Sequence, residues 1–82
     1  MSAEIPKPGG LKKRSFSVAG HRTSVALEPE FWAALENEAR ARRLALAALV
    51  ARIDVGRAER NLASALRVHV LRRALEKTAS AT

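Results

Sequence analysis

Arg22, Ser24 and Ala26 occupy every second position of the segment Arg22-Thr23-Ser24-Val25-Ala26-Leu27, with Thr23, Val25 and Leu27 between them. Alternation at a period of two puts the two sets on opposite faces of a strand, one toward a core and one toward water. The water-facing set can form specific hydrogen bonds. An arginine fork can donate two hydrogen bonds to a guanine edge, a contact that discriminates against the wrong base by about 1–3 kcal/mol. A serine hydroxyl donates or accepts, so it specifies weakly. An alanine can only touch a thymine methyl group or stay neutral. The bland alternative is that the three residues are simply the wet face of a small sheet.

A strand this short must be placed by other elements. It cannot satisfy its own backbone groups, and the expected partner is the same strand of a second copy. Two such strands form an antiparallel ribbon, one of the few shapes that enter the major groove of DNA. Thr23, Val25 and Leu27 then face the dimer core. Just upstream, Lys12, Lys13 and Arg14 form a compact basic cluster, and His21 adjoins the strand. These four are expected along the phosphates, unless the cluster is only a solvated tail.

The balance of charge agrees. The chain has 82 residues, with 15 Lys and Arg against 8 Asp and Glu, a formal net charge of +7. For so short a chain that excess implies a polyanionic partner, with nucleic acid ahead of an anionic membrane surface. No apolar run is long enough to cross a bilayer and Met1 to Gly10 has no apolar core, so a cytoplasmic, nucleoid-associated protein is expected, with no membrane partner. There is no cysteine, so disulfides and thiolate metal sites are not available. A domain of this size is marginal as a monomer, which favours dimerisation. His21 and His69 lie on different elements without a paired carboxylate at ligand spacing, so no metal and no cofactor is expected. No nucleophile–base pair, phosphate loop or carboxylate dyad is present, so the chain is not expected to be an enzyme.

Along the chain, residues 1–13, with Pro6, Pro8, Gly9 and Gly10, read as a disordered basic arm. Ser15 to Ala19 alternates as a short strand, with Phe16 and Val18 on one face. Its parity is opposite to that of Thr23, Val25 and Leu27, and a bulge or bend at Gly20-His21 would reconcile the two; whether this segment adds an outer strand stays open. A helix should begin at Pro29, because proline suits the first helical position. Phe31, Trp32, Leu35 and Ala39 make its apolar stripe. Arg42-Arg43-Leu44-Ala45 is a tight connection into a second helix from about Leu46 to Ile53, with Leu46, Leu49, Val50 and Ile53 on one face. Asp54 to Arg60 reads as a loop. Asn61 should cap a third helix running to about Leu75. Leu62, Leu66, His69 and Val70 share one of its faces, and Val68, Leu71 and Leu75 line a neighbouring one. The domain is thus expected over 14–75, followed by a frayed tail over 76–82.

Strand, helix, short turn, helix is the order of the ribbon-helix-helix family of bacterial repressors. The chain resembles that family through Arg22 to Leu27, Glu28-Pro29-Glu30-Phe31-Trp32 and Leu44-Ala45-Leu46-Ala47-Ala48-Leu49-Val50. Gly20 to Val25 and Asn61 to Arg67 are similar to a subgroup with an additional C-terminal helix. The resemblance implies a mainly α fold with a short β ribbon, an intertwined homodimer holding an intermolecular two-stranded antiparallel sheet, plus the extra helix. It further implies base contacts by Arg22, Ser24 and Ala26, and a phosphate held at the start of the second helix, which maps onto Ala45, Leu46 and Ala47. The family commonly has glycine before the connecting leucine and a capping serine after it. Here Arg43 and Ala45 stand there, and Arg42 or Arg43 could supply the missing contribution as charge. The dimer core would comprise Thr23, Val25, Leu27, Phe31, Trp32, Leu35, Leu49, Val50 and Ile53. The expected function is a sequence-specific regulator of transcription, a repressor, whose partners are double-stranded DNA and a second or further copies of itself. An antitoxin of the same fold, with a toxin protein as partner, and an interaction dimer that has lost specific DNA binding are the alternatives.

Overall fold

The computed structural model describes residues 10–80, and the leader expected at the N-terminus lies outside that range as far as residue 9. Two strands come first, β1 over Lys12–Val18 and β2 over His21–Leu27. Three helices follow, α1 over Pro29–Ala41, α2 over Leu46–Val55 and α3 over Leu62–Ser80. The basic pair Lys12-Lys13 therefore opens β1, and α3 continues one turn past Leu75. None of these helices is long and apolar enough to cross a membrane.

Within the chain, β2 has a partner in the upstream segment, which settles the open question of whether that segment is a strand. β1 and β2 of the same chain pair antiparallel in a two-stranded sheet, from Lys12 opposite Leu27 to Val18 opposite His21. This pairing covers one edge of β2 and leaves its other edge open for a further strand. Only Ala19 and Gly20 lie between the last paired residues, and both have positive φ, 52° and 83°. That is the pattern of a type I′ turn, whose twist matches that of the flanking strands. The register always pairs residues of opposite parity across the two strands. The change of parity across Gly20 is thus what a two-residue loop produces, and no bulge is needed.

The inner face of the hairpin lies on the helices. Phe16, Val18, Val25 and Leu27 are buried with Trp32, Leu35 and Ala39 of α1, Leu49 and Val50 of α2, and Leu62, Ala65 and Leu66 of α3. Of the residues expected to be shared between two copies, Val25, Leu27, Trp32, Leu35, Leu49 and Val50 are buried within one chain, while Phe31, Ile53 and Thr23 are partly covered. Trp32 makes the central seam. Its ring is 5.8 Å from that of Phe16 at an interplanar angle of 41°, and its Nε1 donates to the carbonyl of Lys12 at 2.7 Å.

The connections follow from local chemistry. The Glu28 carbonyl accepts from Phe31 and Trp32 at 3.0 and 3.2 Å, and Pro29 starts α1. The Glu28 carboxyl is held below the usual carboxylate range by its own backbone N–H and by the guanidinium of Arg67. Helix α1 ends in a Schellman motif: Leu44 N–H reaches Ala39 O at 2.8 Å and Arg43 N–H reaches Arg40 O at 3.1 Å. Arg43 takes the left-handed position at φ 60°, where glycine is usual. Asn61 caps α3, its Oδ1 accepting from Ser64 N–H at 2.8 Å. His69, on the inner side of α3, meets Glu38 of α1 at 2.7 Å.

Two outcomes test this packing. Trp32→Ala should cost about 3–5 kcal/mol, enough to unfold most of the population in urea melts followed by circular dichroism; a midpoint close to wild type would show that the seam is misplaced. Ala19→Asn gives the favoured Asn-Gly turn and should stabilise the fold by about 0.5–1 kcal/mol, seen as a rise of a few degrees in Tm.

Candidate nucleic-acid interface

The hairpin has two faces of different character. With Phe16, Val18, Val25 and Leu27 turned inward, the alternate residues Lys13, Ser15 and Ser17 of β1 and Arg22, Ser24 and Ala26 of β2 turn outward. Five of these six are fully exposed, and Ala26 is partly covered. Cross-strand neighbours on this face are Lys13 with Ala26, Ser15 with Ser24, and Ser17 with Arg22. The structure thus brings Arg22, Ser24 and Ala26 together on one surface and adds three residues of β1 to it.

Polar groups on this surface differ in their freedom. The hydroxyls of Ser15 and Ser24 are 2.8 Å apart and hydrogen-bonded to each other. Ser24 is therefore oriented by its neighbour, and only part of its hydrogen-bonding capacity points outward. Lys13 and Arg22 have no hydrogen-bond or ion-pair partner among the described residues. Arginine and lysine in that state are fully available to an anion or a base edge.

The remaining basic residues of the expected interface separate. Lys12, Arg14 and His21 fall on the inward side of their strands, at its margins. Arg14 is engaged with the structure: its guanidinium lies 5.0 Å from the centre of the Trp32 ring and is paired with Glu36. Lys12 and His21 are exposed at opposite ends of the hairpin. Arg43 sits in the α1–α2 turn, followed by Ala45 as the N-cap of α2, with φ −67° and ψ 149° and no side-chain cap. Ala48 and Leu49 donate to the Ala45 carbonyl, at 3.0 and 3.1 Å. The N–H groups of the residues before them have no helical acceptor, as at every helix start. No acid lies in this first turn, and Ala45 and Ala47 are exposed while Leu46 is half-buried. An anion approaching there meets backbone donors and the positive end of the helix dipole.

Charge is partitioned between the hairpin and the helices. From residue 12 to residue 27 the chain holds Lys12, Lys13, Arg14 and Arg22 and no Asp or Glu, so the hairpin carries +4 of the net +7. On the helices, acids neutralise much of the basic excess: Glu28 with Arg67, Glu38 with Arg42, His69 and Arg73, Asp54 with Arg57, and Glu76 with Arg73. No group of three His, Asp or Glu among the described residues converges as a metal site.

The residues of β1 on the outer face were not all foreseen. Lys13 was expected on phosphates, and Ser15 and Ser17 were given no role. The signal was present: two alternating runs of opposite parity separated by a two-residue X-Gly loop define a hairpin.

Comparison with curated proteins and with solved structures returned no match. The family model described as "Ribbon-helix-helix domain" matches residues 11–74, from just before β1 into the second half of α3. The match takes in the hairpin, both following helices and most of α3, and the order of these elements is the one that the family requires. This chain belongs to the ribbon-helix-helix family, with an additional C-terminal helix.

Proposed function

We propose that the protein is a sequence-specific DNA-binding regulator of transcription, a repressor, which works as a homodimer and applies the outer face of its β ribbon to the major groove. Ribbon-helix-helix domains in general bind DNA and dimerise. The observation that carries the proposal for this chain is the outer face of the hairpin: acid-free, exposed, and bearing an arginine, Arg22, with no hydrogen-bond or ion-pair partner among the described residues. A ribbon of two strands about 4.8 Å apart fits a groove about 12 Å wide. Arg22 reads a guanine, Ser24 adds a weak polar contact, and Ala26 contributes a methyl group. The second copy supplies two-fold symmetry, which doubles a modest preference on a palindromic site.

Affinity for the backbone comes from Arg43 and the N–H groups at Ala45, Leu46 and Ala47, with Lys12 and His21 at the ends of the ribbon. Arg14 contributes to the field of the hairpin but is held by Glu36 and Trp32. The site works without a cofactor, in the cytoplasm on the nucleoid.

A second reading, an antitoxin or an interaction dimer, draws on α3. Leu71 and Leu75 are 56% and 59% exposed on the side of α3 away from the core. Such residues suit a partner protein or another copy, which includes assembly of dimers into tetramers. The helix is nevertheless capped by Asn61 and packed on the same chain through Leu62, Ala65 and Leu66. Antitoxin tails that fold on binding lack such a base, so the regulator is the better supported of the two.

If a dimer contacts about six phosphates, log K on duplex DNA should fall with log salt at a slope near −5; a slope near zero removes the DNA-binding proposal. Arg22→Ala should lose about 1–3 kcal/mol of site-specific binding while remaining folded and dimeric, as read by titrating cognate and scrambled duplexes. Unchanged discrimination between those duplexes would show that the ribbon does not read bases.

A further inference from the structure

We infer that α3 pairs antiparallel with α3 of another copy, through Val68, Leu71 and Leu75, and so joins two ribbon dimers. The inference takes its dimers from the homodimer proposed above and adds a second self-contact, on a helix that the ribbon does not use.

The first support is where α3 leaves the core. Leu62, Ala65 and Leu66 are buried, but residues 74–79 are all exposed. The end of the helix therefore has little of its own chain to pack on. Yet Leu71 and Leu75 stand there, 56% and 59% exposed. Two helical turns gain little from propensity alone, so this end of α3 draws its stability from whatever covers its leucines.

The second support is the spacing. Ser64, Val68, Leu71, Leu75 and Thr78 follow one another at intervals of four, three, four and three residues. That is the repeat of a seam that stays in contact with a second helix along its length. Set antiparallel about a two-fold axis at the level of Arg73, Leu71 meets the partner's Leu75 and Val68 meets the partner's Thr78. Each contact then occurs twice, and the surface is its own complement.

Charge selects the occupant. Arg72 and Glu76 flank the same edge of the seam. Arg72 has no hydrogen-bond or ion-pair partner among the described residues. Glu76 is held only by Arg73, at 3.7 Å, and its side chain is 68% exposed. An acidic protein surface would attract Arg72 and repel Glu76, and a basic one would do the reverse. An antiparallel copy satisfies both, because the partner's Glu76 comes opposite Arg72 and symmetry repeats the pair. On the other edge, Arg67 is already paired with Glu28, and Ala74 is small enough to let two helices close.

Size sets the strength. A contact over about three turns buries less than the roughly 1,600 Å² of a standard interface. Association of free dimers is therefore weak, with a Kd on the order of 10–100 μM. It becomes effective where two dimers are held side by side, which raises their effective concentration.

The test is sedimentation equilibrium of the full chain without DNA, from about 5 to 500 μM, a range that brackets that Kd. Wild type should pass from two copies to four. The double variant Leu71→Glu/Leu75→Glu should stay at two. Arg72→Glu and Glu76→Arg should each weaken the four-copy form about three- to tenfold, and the two together should restore it to within about twofold. A wild type that remains at two copies throughout overturns the inference, and so do leucine variants that still reach four. Charge reversals whose effects simply add also overturn it, because Arg72 and Glu76 would then not face each other. If a wild type confined to two copies instead sediments with vesicles of phosphatidylserine and phosphatidylcholine, the leucines serve a membrane and the inference falls. The floor of two copies reports the ribbon dimer and the step to four reports α3, so the two readings fail separately. Circular dichroism and Trp32 fluorescence should show every variant folded as wild type; the charge reversals leave the apolar seam intact and decide the matter even if the leucine variants do not fold.

Discussion

A two-stranded hairpin is at best marginally stable in water by itself, and the whole molecule depends on how this one is held. The seam between β1 and α1 does that. Phe16 packs on Trp32, the indole N–H reaches back to the Lys12 carbonyl, and the Arg14 guanidinium lies over the same ring. One side chain thus supplies apolar area, a hydrogen bond and a cation–π contact to a single strand. With β1 fixed, β2 follows through the ladder, and Val25 and Leu27 complete the floor of the sheet over α1, α2 and α3. The exposed face gains its rigidity entirely from the buried one.

Electrostatics follow the same division. In the helices Glu28, Glu38, Asp54 and Glu76 are each paired with arginine, which keeps the basic excess there modest. Glu38 shows how: its side chain is only 8% exposed, Oε1 lies 2.7 Å from His69, and Oε2 is 3.5 Å from Arg42 and 3.8 Å from Arg73. Those last two distances are too long for hydrogen bonds, and Oε2 accepts none. The contact is best seen as an ionic brace between α1 and α3, since a buried carboxylate needs compensating charge close by. The hairpin has no such acids. Its positive potential is therefore concentrated on a narrow ridge, the form in which charge steers a polyanion most effectively.

Much of this was legible in the chain itself. The outward position of Arg22, Ser24 and Ala26 follows from alternation alone. Pro29 marks the start of α1, and Asn61 that of α3, because each residue suits one position of a helix terminus. The stripe of Leu46, Leu49, Val50 and Ile53 announces α2. The misplaced elements were those whose environment is built by distant residues. Arg14 was grouped with Lys12 and Lys13 by proximity in sequence, yet strand geometry sends Arg14 to Trp32 and Glu36 and sends Lys13 to the opposite face.

Amino-acid type and spacing alone determined that 22–27 alternates as a strand, where the three helices start, which side of each is apolar, and that the chain carries a basic ribbon followed by two helices and a third. These are properties of local periodicity, and periodicity needs no knowledge of distant contacts. The tertiary structure alone decided that β1 pairs with one edge of β2. Backbone hydrogen bonds are the same for every sequence, so a strand edge accepts any suitable partner. The choice was made by closure of a two-residue loop through Ala19 and Gly20 and by the burial of Phe16 against Trp32, a contact between residues far apart in the chain.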